Sequence, residues 1–288
     1  MTTPKPATAA RIYHYLLGGT NYFPADRAAA DALIALHPDT VHIARANRAF
    51  VQRVVSYLAS HGVRRFLDIG SGLPAHPNVH DVIGAVIGDG HVVYVDVDPV
   101  VVTQHQELLG HHRTASAIWG DLTDPQVILN HRRVRDLLST TEPVGVLLTA
   151  VLHYLPDHVA YPAVAHLVRS LPPASYLVIS HASPPDEDLE SAALDQARRV
   201  YQQHTTMRLH PRTRSGIAQF LQDLDVVDPG LVWAQQWRPD PSNPPDPVIP
   251  GILVAVAQIR SAPPTPAHQA DRRRSPARPE SSRPPAGP

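Results

Sequence analysis

No cysteine occurs among the 288 residues, so neither disulfides nor thiolate metal sites are available. That absence suits a reducing compartment, and a cytoplasmic location is expected. An excess of either charge is lacking too: 25 basic and 26 acidic side chains leave a net charge of -1, which gives no reason to expect nucleic acid or an anionic membrane as partner. Long hydrophobic runs are missing. The longest, VGVLLTAVL at 144–152, falls well short of a bilayer span, and MTTPKPATAA has no apolar signal core, so a soluble, unexported protein is expected. The histidines, His111 and His112 included, show no spacing that suits a metal, and no metal is expected. No feature specifies an oligomeric state.

Proline is abundant and unevenly placed. The stretch from Ser261 to the end is rich in Pro, Arg, Ser and Ala, with almost no bulky apolar residues to offset ordering entropy, and is expected to be disordered. RRR at 272–274 reads as a solvated charge run or a weak anionic tether. A second cluster, RPDPSNPPDPVIPG at 238–251, separates two β-prone segments and reads as a long loop inside the fold.

From 64 to 182 strand-like runs alternate with segments of helical length: RRFLDIG, HVVYVDVD, SAIWGDL, PVGVLLTAVL and SYLVISHAS. Unbroken Val, Ile and Leu are the mark of strands buried on both faces, and helical spacers between them imply right-handed crossovers. The fold class predicted is α/β, a doubly wound, mostly parallel, seven-stranded Rossmann-like sheet. Beyond it the pattern predicts helices from Asp186 to about His204 and from about Thr213 to Leu224, then LVWAQQW and GILVAVAQI paired as an antiparallel C-terminal edge hairpin. Ahead of it two helices are predicted, about 24–36 and 40–60, with Pro24 and Asp26 in the first turn of the earlier one. Asn47 shares a face with Ile43, Phe50, Val54 and Leu58, so its amide needs a partner, either a loop backbone or a ligand.

The first strand of the sheet ends in DIGSGLP. In an open parallel sheet the ligand crevice lies beyond the carboxyl ends of the strands, and the first strand-to-helix turn approaches a ligand most closely. Gly70 and Gly72 permit a tight turn without a Cβ against the cofactor, with Ser71 between them and Asp68 as an acceptor at the strand end. The second strand closes on Asp96 and Val97, where a carboxylate can take two ribose hydroxyls. Asp98, before Pro99, suits a turn or helix start. The third strand closes on Asp121 and Leu122, where the acid either accepts from an adenine amino group or caps the next helix. Both NAD and S-adenosylmethionine present a ribose to such an acid. The third glycine of a dinucleotide fingerprint is absent, and GSGLPAHPNVHD carries two prolines where the helix amides should meet a pyrophosphate, which favours the methyl donor.

DIGSGLP, VVYVDVDP, GDLTDP and AVLHYLPD, in this order, resemble the successive motifs of class I S-adenosylmethionine-dependent methyltransferases. ARIYHYLLGGTNYFPADRAAADAL, ARANRAFVQRVV, SYLVISHA and VDPGLVWAQQWRPD resemble the actinobacterial S-adenosyl methyltransferase family, formerly a domain of unknown function, over about 11–260. The resemblance implies a Rossmann-like fold and S-adenosylmethionine as cofactor, with S-adenosylhomocysteine as product, and it leaves the acceptor open. Relatives often have threonine where this chain has Ser71, and the tail departs from the family pattern. On this reading 1–10 is a flexible start, 11–62 a helical lid, 63–260 the cofactor-binding domain and 261–288 the tail.

Aromatics are only 6% of the chain, yet Tyr13, Tyr15, Tyr22 and Phe23 crowd around Gly18, Gly19 and Asn21. The segment reads as a lid over donor and acceptor or as a packing arm, with Tyr15, Asn21 and Asn47 as candidates on the lid or acceptor side. Methyl transfer is a direct displacement that requires alignment above all, and the expected acceptor is a small molecule. A hydroxyl or ammonium acceptor also needs a base, and AVLHYLPD places His153 and Tyr154 beyond the fourth strand as candidates, or else as pocket wall.

Overall fold

The computed structural model describes residues 6–185, 188–242, 247–260 and 287. The tail expected to be disordered, 261–288, lies outside the described residues apart from Gly287, as does Asp186. Five strands form the parallel part of the sheet: β1 (Arg65–Ile69), β2 (His91–Asp96), β3 (Ala115–Trp119), β4 (Val144–Thr149) and β5 (Tyr176–Ala182). Three more follow, β6 (Asp225–Val226), β7 (Val232–Trp233) and β8 (Ile252–Gln258). The order is β3-β2-β1-β4-β5-β8-β6, with β7 also on β8, and β8 runs antiparallel to all its partners. The doubly wound, mostly parallel sheet is therefore present, with an antiparallel edge, but it has eight strands instead of seven.

The expected hairpin holds for two residue pairs, Val232 with Val254 and Trp233 with Leu253. LVWAQQW does not continue as a strand because Trp237 is drawn away into the core. Its ring meets Phe50 and Tyr57 edge to face at 5.4 and 5.6 Å, and Arg53 donates to the carbonyls of Ala234 and Trp237.

Helices α1 (Ala9–Leu16), α2 (Pro24–Leu36) and α3 (Thr40–Ser60) precede the sheet. The next four, α4 (Val79–Ile87), α5 (Pro99–Leu109), α6 (Pro125–Asn130) and α7 (Arg132–Leu138), lie between β1 and β4. They are followed by α8 (Asp157–Arg169), α9 (Ala192–His204) and α10 (Arg214–Gln219). Helices α2 and α3 fall where expected, with Pro24 at the first position of α2 and Asp26 accepting the Phe23 N–H at 2.7 Å. Helix α9 starts at Ala192, and α10 ends at Gln219 instead of reaching Leu224.

Residues 6–10, assigned above to a flexible start, are packed. Ala7 is buried and forms a parallel bridge to Thr205, Thr8 caps α1, and the Thr8 N–H donates to Asp26 at 2.9 Å. The two-residue alternation along β1 distributes side chains between the sheet's faces. Leu67 and Ile69 join the cluster under α7, α8 and α10, while Phe66 joins the one under α3 and α4. Asp68 therefore faces the α3 side. A third cluster, from α1, α2 and α9, forms a cap of its own. No described helix is long and apolar enough to cross a membrane.

Candidate functional site

The carboxyl ends of β1 to β5 open into a cavity of about 1100 Å³, roofed by α1, α3 and α9. Every residue expected to hold the nucleotide lines it: Asp68, Gly70, Ser71, Gly72, Asp96, Val97, Asp121 and Leu122. Asn47, His153 and Tyr154 line it too.

Gly70 has φ +72°, and a Cβ there would lie 2.5 Å from Val151 Cγ2, so only glycine lets the segment after β4 close over the turn. Its N–H, with that of Ser71, donates to the Val95 carbonyl. Gly72, at φ +65°, has nothing within 4 Å of a would-be Cβ. Helix α4 begins only at Val79, and Pro74 and Pro77 stand in the connecting loop, so no helix N-terminus meets the glycine turn.

Asp96 accepts the Gly72 N–H on Oδ2 and the Asp98 N–H on Oδ1, both at 2.9 Å. Burial pushes its carboxyl up, opposed by those backbone donors. Asp98 caps α5 by accepting from Val100. Asp121 accepts the Thr123 N–H at 2.8 Å, and the cap of α6 is Asp124, so the capping alternative for Asp121 does not hold. Burial pushes Asp68 up to about 7 against the pull of Arg48 and with a push from Asp96.

The lid candidates separate by face. Residues two apart on a helix point to nearly opposite sides. Tyr13 lines the cavity, whereas Tyr15 turns away to donate to Asp31 at 2.9 Å. Asn21 is exposed and donates to Gln104 at 2.8 Å, also away from the cavity. The Asn47 amide donates to the Tyr13 hydroxyl at 2.9 Å, a protein partner other than the loop backbone that was one of the two expectations, and its buried Oδ1 has no partner. Tyr13 in turn donates to the Ala44 carbonyl at 3.0 Å, and burial raises its phenol to about 12.

His153 is buried, and its Nδ1 accepts the Ala182 N–H at 3.2 Å. Burial, aided by Arg212, pushes the imidazole down to about 3, so the ring is neutral with its proton on Nε2. A base role needs a free lone pair, and this arrangement uses it. Tyr154 pairs with the Tyr201 hydroxyl at 3.1 Å, and burial raises its phenol well above the ordinary range. Neither side chain is disposed to take a proton.

Several site residues carry no motif. Arg212, 4% exposed, donates to the Leu152 and Leu155 carbonyls, to His181 Nε2 and to Asp157, and so fixes the wall on which His153 and Tyr154 stand. Arg11 joins α1 to Asp26 at 2.8 Å and to Asp98 at 3.3 Å, tying the cap to the loop after β2. Arg48 Nη2 donates to the Ala75 and Pro77 carbonyls, while its buried Nε has no partner. Arg48 follows Asn47 directly but lies off the face that Asn47 shares with Ile43, Phe50, Val54 and Leu58, so the helical pattern gave no signal for it. Among the described residues no group of three or more His, Asp or Glu is placed to hold a metal ion.

This sheet order, with a glycine turn after β1 and an acid at the end of β2, defines a class I methyltransferase fold. A model of the S-adenosyl methyltransferase family matches residues 2–260, and the chain belongs to that family. A protein from Thermobifida fusca YX, described as a methyltransferase, superposes with TM-score 0.81 at 34% identity, over 89% of this chain and 96% of its own. A DUF574 family protein from Streptomyces avermitilis MA-4680 gives 0.81 and 34% over 88% and 98%. Magnesium protoporphyrin IX methyltransferase from Synechocystis PCC 6803, solved with S-adenosylhomocysteine, shares the fold at TM-score 0.51 and 15% identity, over 87% and 93%. No curated protein matches the chain. The chain is thus an S-adenosylmethionine-dependent methyltransferase.

Proposed function

We propose that the methyl acceptor is an uncharged, largely apolar small molecule, taken into the part of the cavity between α1, α9 and the segment after β4. The observation that carries this reading is one continuous space of about 1100 Å³, joining the glycine turn and Asp96 to Tyr13, Asn47, Tyr154 and Tyr201. Pockets for one small ligand span roughly 300–1,000 Å³, so the cavity has room for donor and acceptor together. A regulatory protein that only bound the nucleotide would have no use for the second half.

Asp96 would hold the ribose hydroxyls and Asp121 the adenine amino group, with Val97 and Leu122 against the ring. Asp68 and Arg48 suit the ammonium and carboxylate of the amino-acid end: Asp68 is a buried acid lining the cavity, and the buried Arg48 Nε has no partner. When bound, S-adenosylmethionine supplies a methyl group on a sulfonium, an electrophile that carries its own leaving group. The chain contributes placement and exclusion of water. The cap formed by α1, α2 and α9 serves as the lid.

Cavity-lining residues along α9 and 206–211, such as Leu194, Ala197, Met207 and Leu209, are uncharged. With the His153 lone pair engaged by Ala182, the ring acts as a donor that orients the acceptor. The reacting atom therefore arrives with its own lone pair available.

Two experiments test the reading. Calorimetry should show S-adenosylhomocysteine binding that weakens at least about tenfold in Asp96→Asn, since hydrogen bonds to a charged group are each worth roughly 1.5–3 kcal/mol. Cell extract incubated with protein and deuteromethyl donor should yield a labelled small, apolar molecule. Label confined to protein or nucleic acid would overturn the acceptor class.

A further inference from the structure

Gly72 is held from two sides. Glycine has wide freedom in φ and ψ, and no packing restrains this one, because a Cβ would meet nothing within 4 Å. Its conformation, at φ +65°, is instead set by hydrogen bonds to the peptide planes before and after it. Its N–H donates to Asp96 at 2.9 Å, and its carbonyl accepts from His105 Nε2 at 2.9 Å.

His105 lies two turns into α5, is 2% exposed, and stacks on Tyr94 with ring centroids 4.3 Å apart and planes at 18°. Donation from Nε2 leaves Nδ1 as a bare lone pair, and that atom is buried without a partner. An orphaned buried acceptor costs stability that a hydrocarbon ring in the same space would not. A stacked phenylalanine would satisfy packing better. Histidine at this place is explained by the single bond a hydrocarbon cannot make, the one to the Gly72 carbonyl.

Asp98, the N-cap of helix α5, also donates its N–H to the other oxygen of Asp96. One rigid element therefore references both the acid and the glycine to each other. We infer that His105 is a positioning residue for the cofactor, holding the turn after β1 in the shape that receives the nucleoside. The inference rests on the proposed function, since it assumes that this turn and Asp96 hold S-adenosylmethionine.

The test compares His105→Phe, which keeps the stack and removes the donor, with His105→Gln, which keeps a donor and removes the stack. Calorimetry with S-adenosylhomocysteine and thermal melting without ligand are read for both and for the unaltered protein. His105→Phe should melt at or above the unaltered protein yet bind about five- to tenfold more weakly, the scale of one hydrogen bond. His105→Gln should melt lower and bind within about threefold of the unaltered protein. Affinity and stability then move in opposite directions, which a packing role would not produce. Unchanged affinity in His105→Phe, or a loss shared equally by both variants, overturns the inference. If the Phe protein does not fold, His105→Leu is the donor-free variant. An unaltered protein that fails to bind S-adenosylhomocysteine would refute the proposed function as well, whereas binding that ignores the donor refutes only the role of His105.

Discussion

Replacing Asp68 with asparagine tests whether the acid at the end of β1 is held protonated until a cation arrives. Asp68 lies on the α3 face of the sheet beside Tyr94, 5% exposed, and burial raises it from 3.8 to about 7 although Arg48 pulls the other way. Between those values the native state binds a proton that the unfolded chain has released, so stability must fall as pH rises through the window and level off above about 7. A shift of about three units, at about 1.36 kcal/mol each, amounts to roughly 4 kcal/mol from this group. Asparagine has nearly the same shape and does not titrate. The stability of the native protein minus that of Asp68→Asn should therefore drop by about 4 kcal/mol from pH 4 to pH 8, or around 10 °C in melting temperature for a chain of this size. Melting curves of both proteins at several pH values, without ligand, measure it. Saturating S-adenosylhomocysteine at pH 8 should restore the native protein more than the variant, because an ammonium beside the carboxylate favours its charged form. Curves for the two proteins that run parallel across the range would refute the reasoning.

Arg11→Met removes the guanidinium from Asp26, which is 0% exposed, and breaking a buried pair costs about 3–5 kcal/mol. Amide exchange should accelerate across residues 6–36 while the sheet stays protected, and adding Asp26→Asn should recover part of the loss; exchange unchanged in the cap would count against its being latched by this pair. Gly70→Ala places a Cβ 2.5 Å from Val151 Cγ2 at φ +72°, adding a clash to the roughly 1–2 kcal/mol of left-handed strain. Val151→Ala in the same chain should relieve the clash and leave the strain, and an unchanged melting temperature in the single variant would show that the segment after β4 does not press on the turn.

The half of the cavity proposed to meet the donor was legible because backbone geometry demands particular residues there. A turn that passes under Val151 admits only glycine at 70, and strands buried on both faces carry acids near their ends, as with Asp68 and Asp96, or just beyond them, as with Asp121. Strand positions followed from unbroken Val, Ile and Leu for the same reason. The antiparallel C-terminal edge was legible but the length of its first strand was not, because Trp237 has as much β propensity as any strand residue, and its capture by Phe50 and Tyr57 is a tertiary event that no local pattern records. Asp124 took the cap assigned as an alternative to Asp121 because either acid precedes the helix at a plausible distance, and only the start of α6 at Pro125 decides between them.

The acceptor side depends on register, and there composition misleads. The crowding of aromatics before α2 marked a segment as lid or packing arm, but the limits of α1 within it were not placed. Without its axis nothing distinguishes Tyr13 from Tyr15, although the two point to opposite sides. His153 drew attention because it stands just beyond the fourth strand, near the crevice. Its neutrality comes first from burial and second from Arg212, some sixty residues later, whose guanidinium binds the carbonyls of Leu152 and Leu155. Burial and the Ala182 N–H on Nδ1 together disfavour the ring as a base, which is why alignment is the mode of catalysis proposed above.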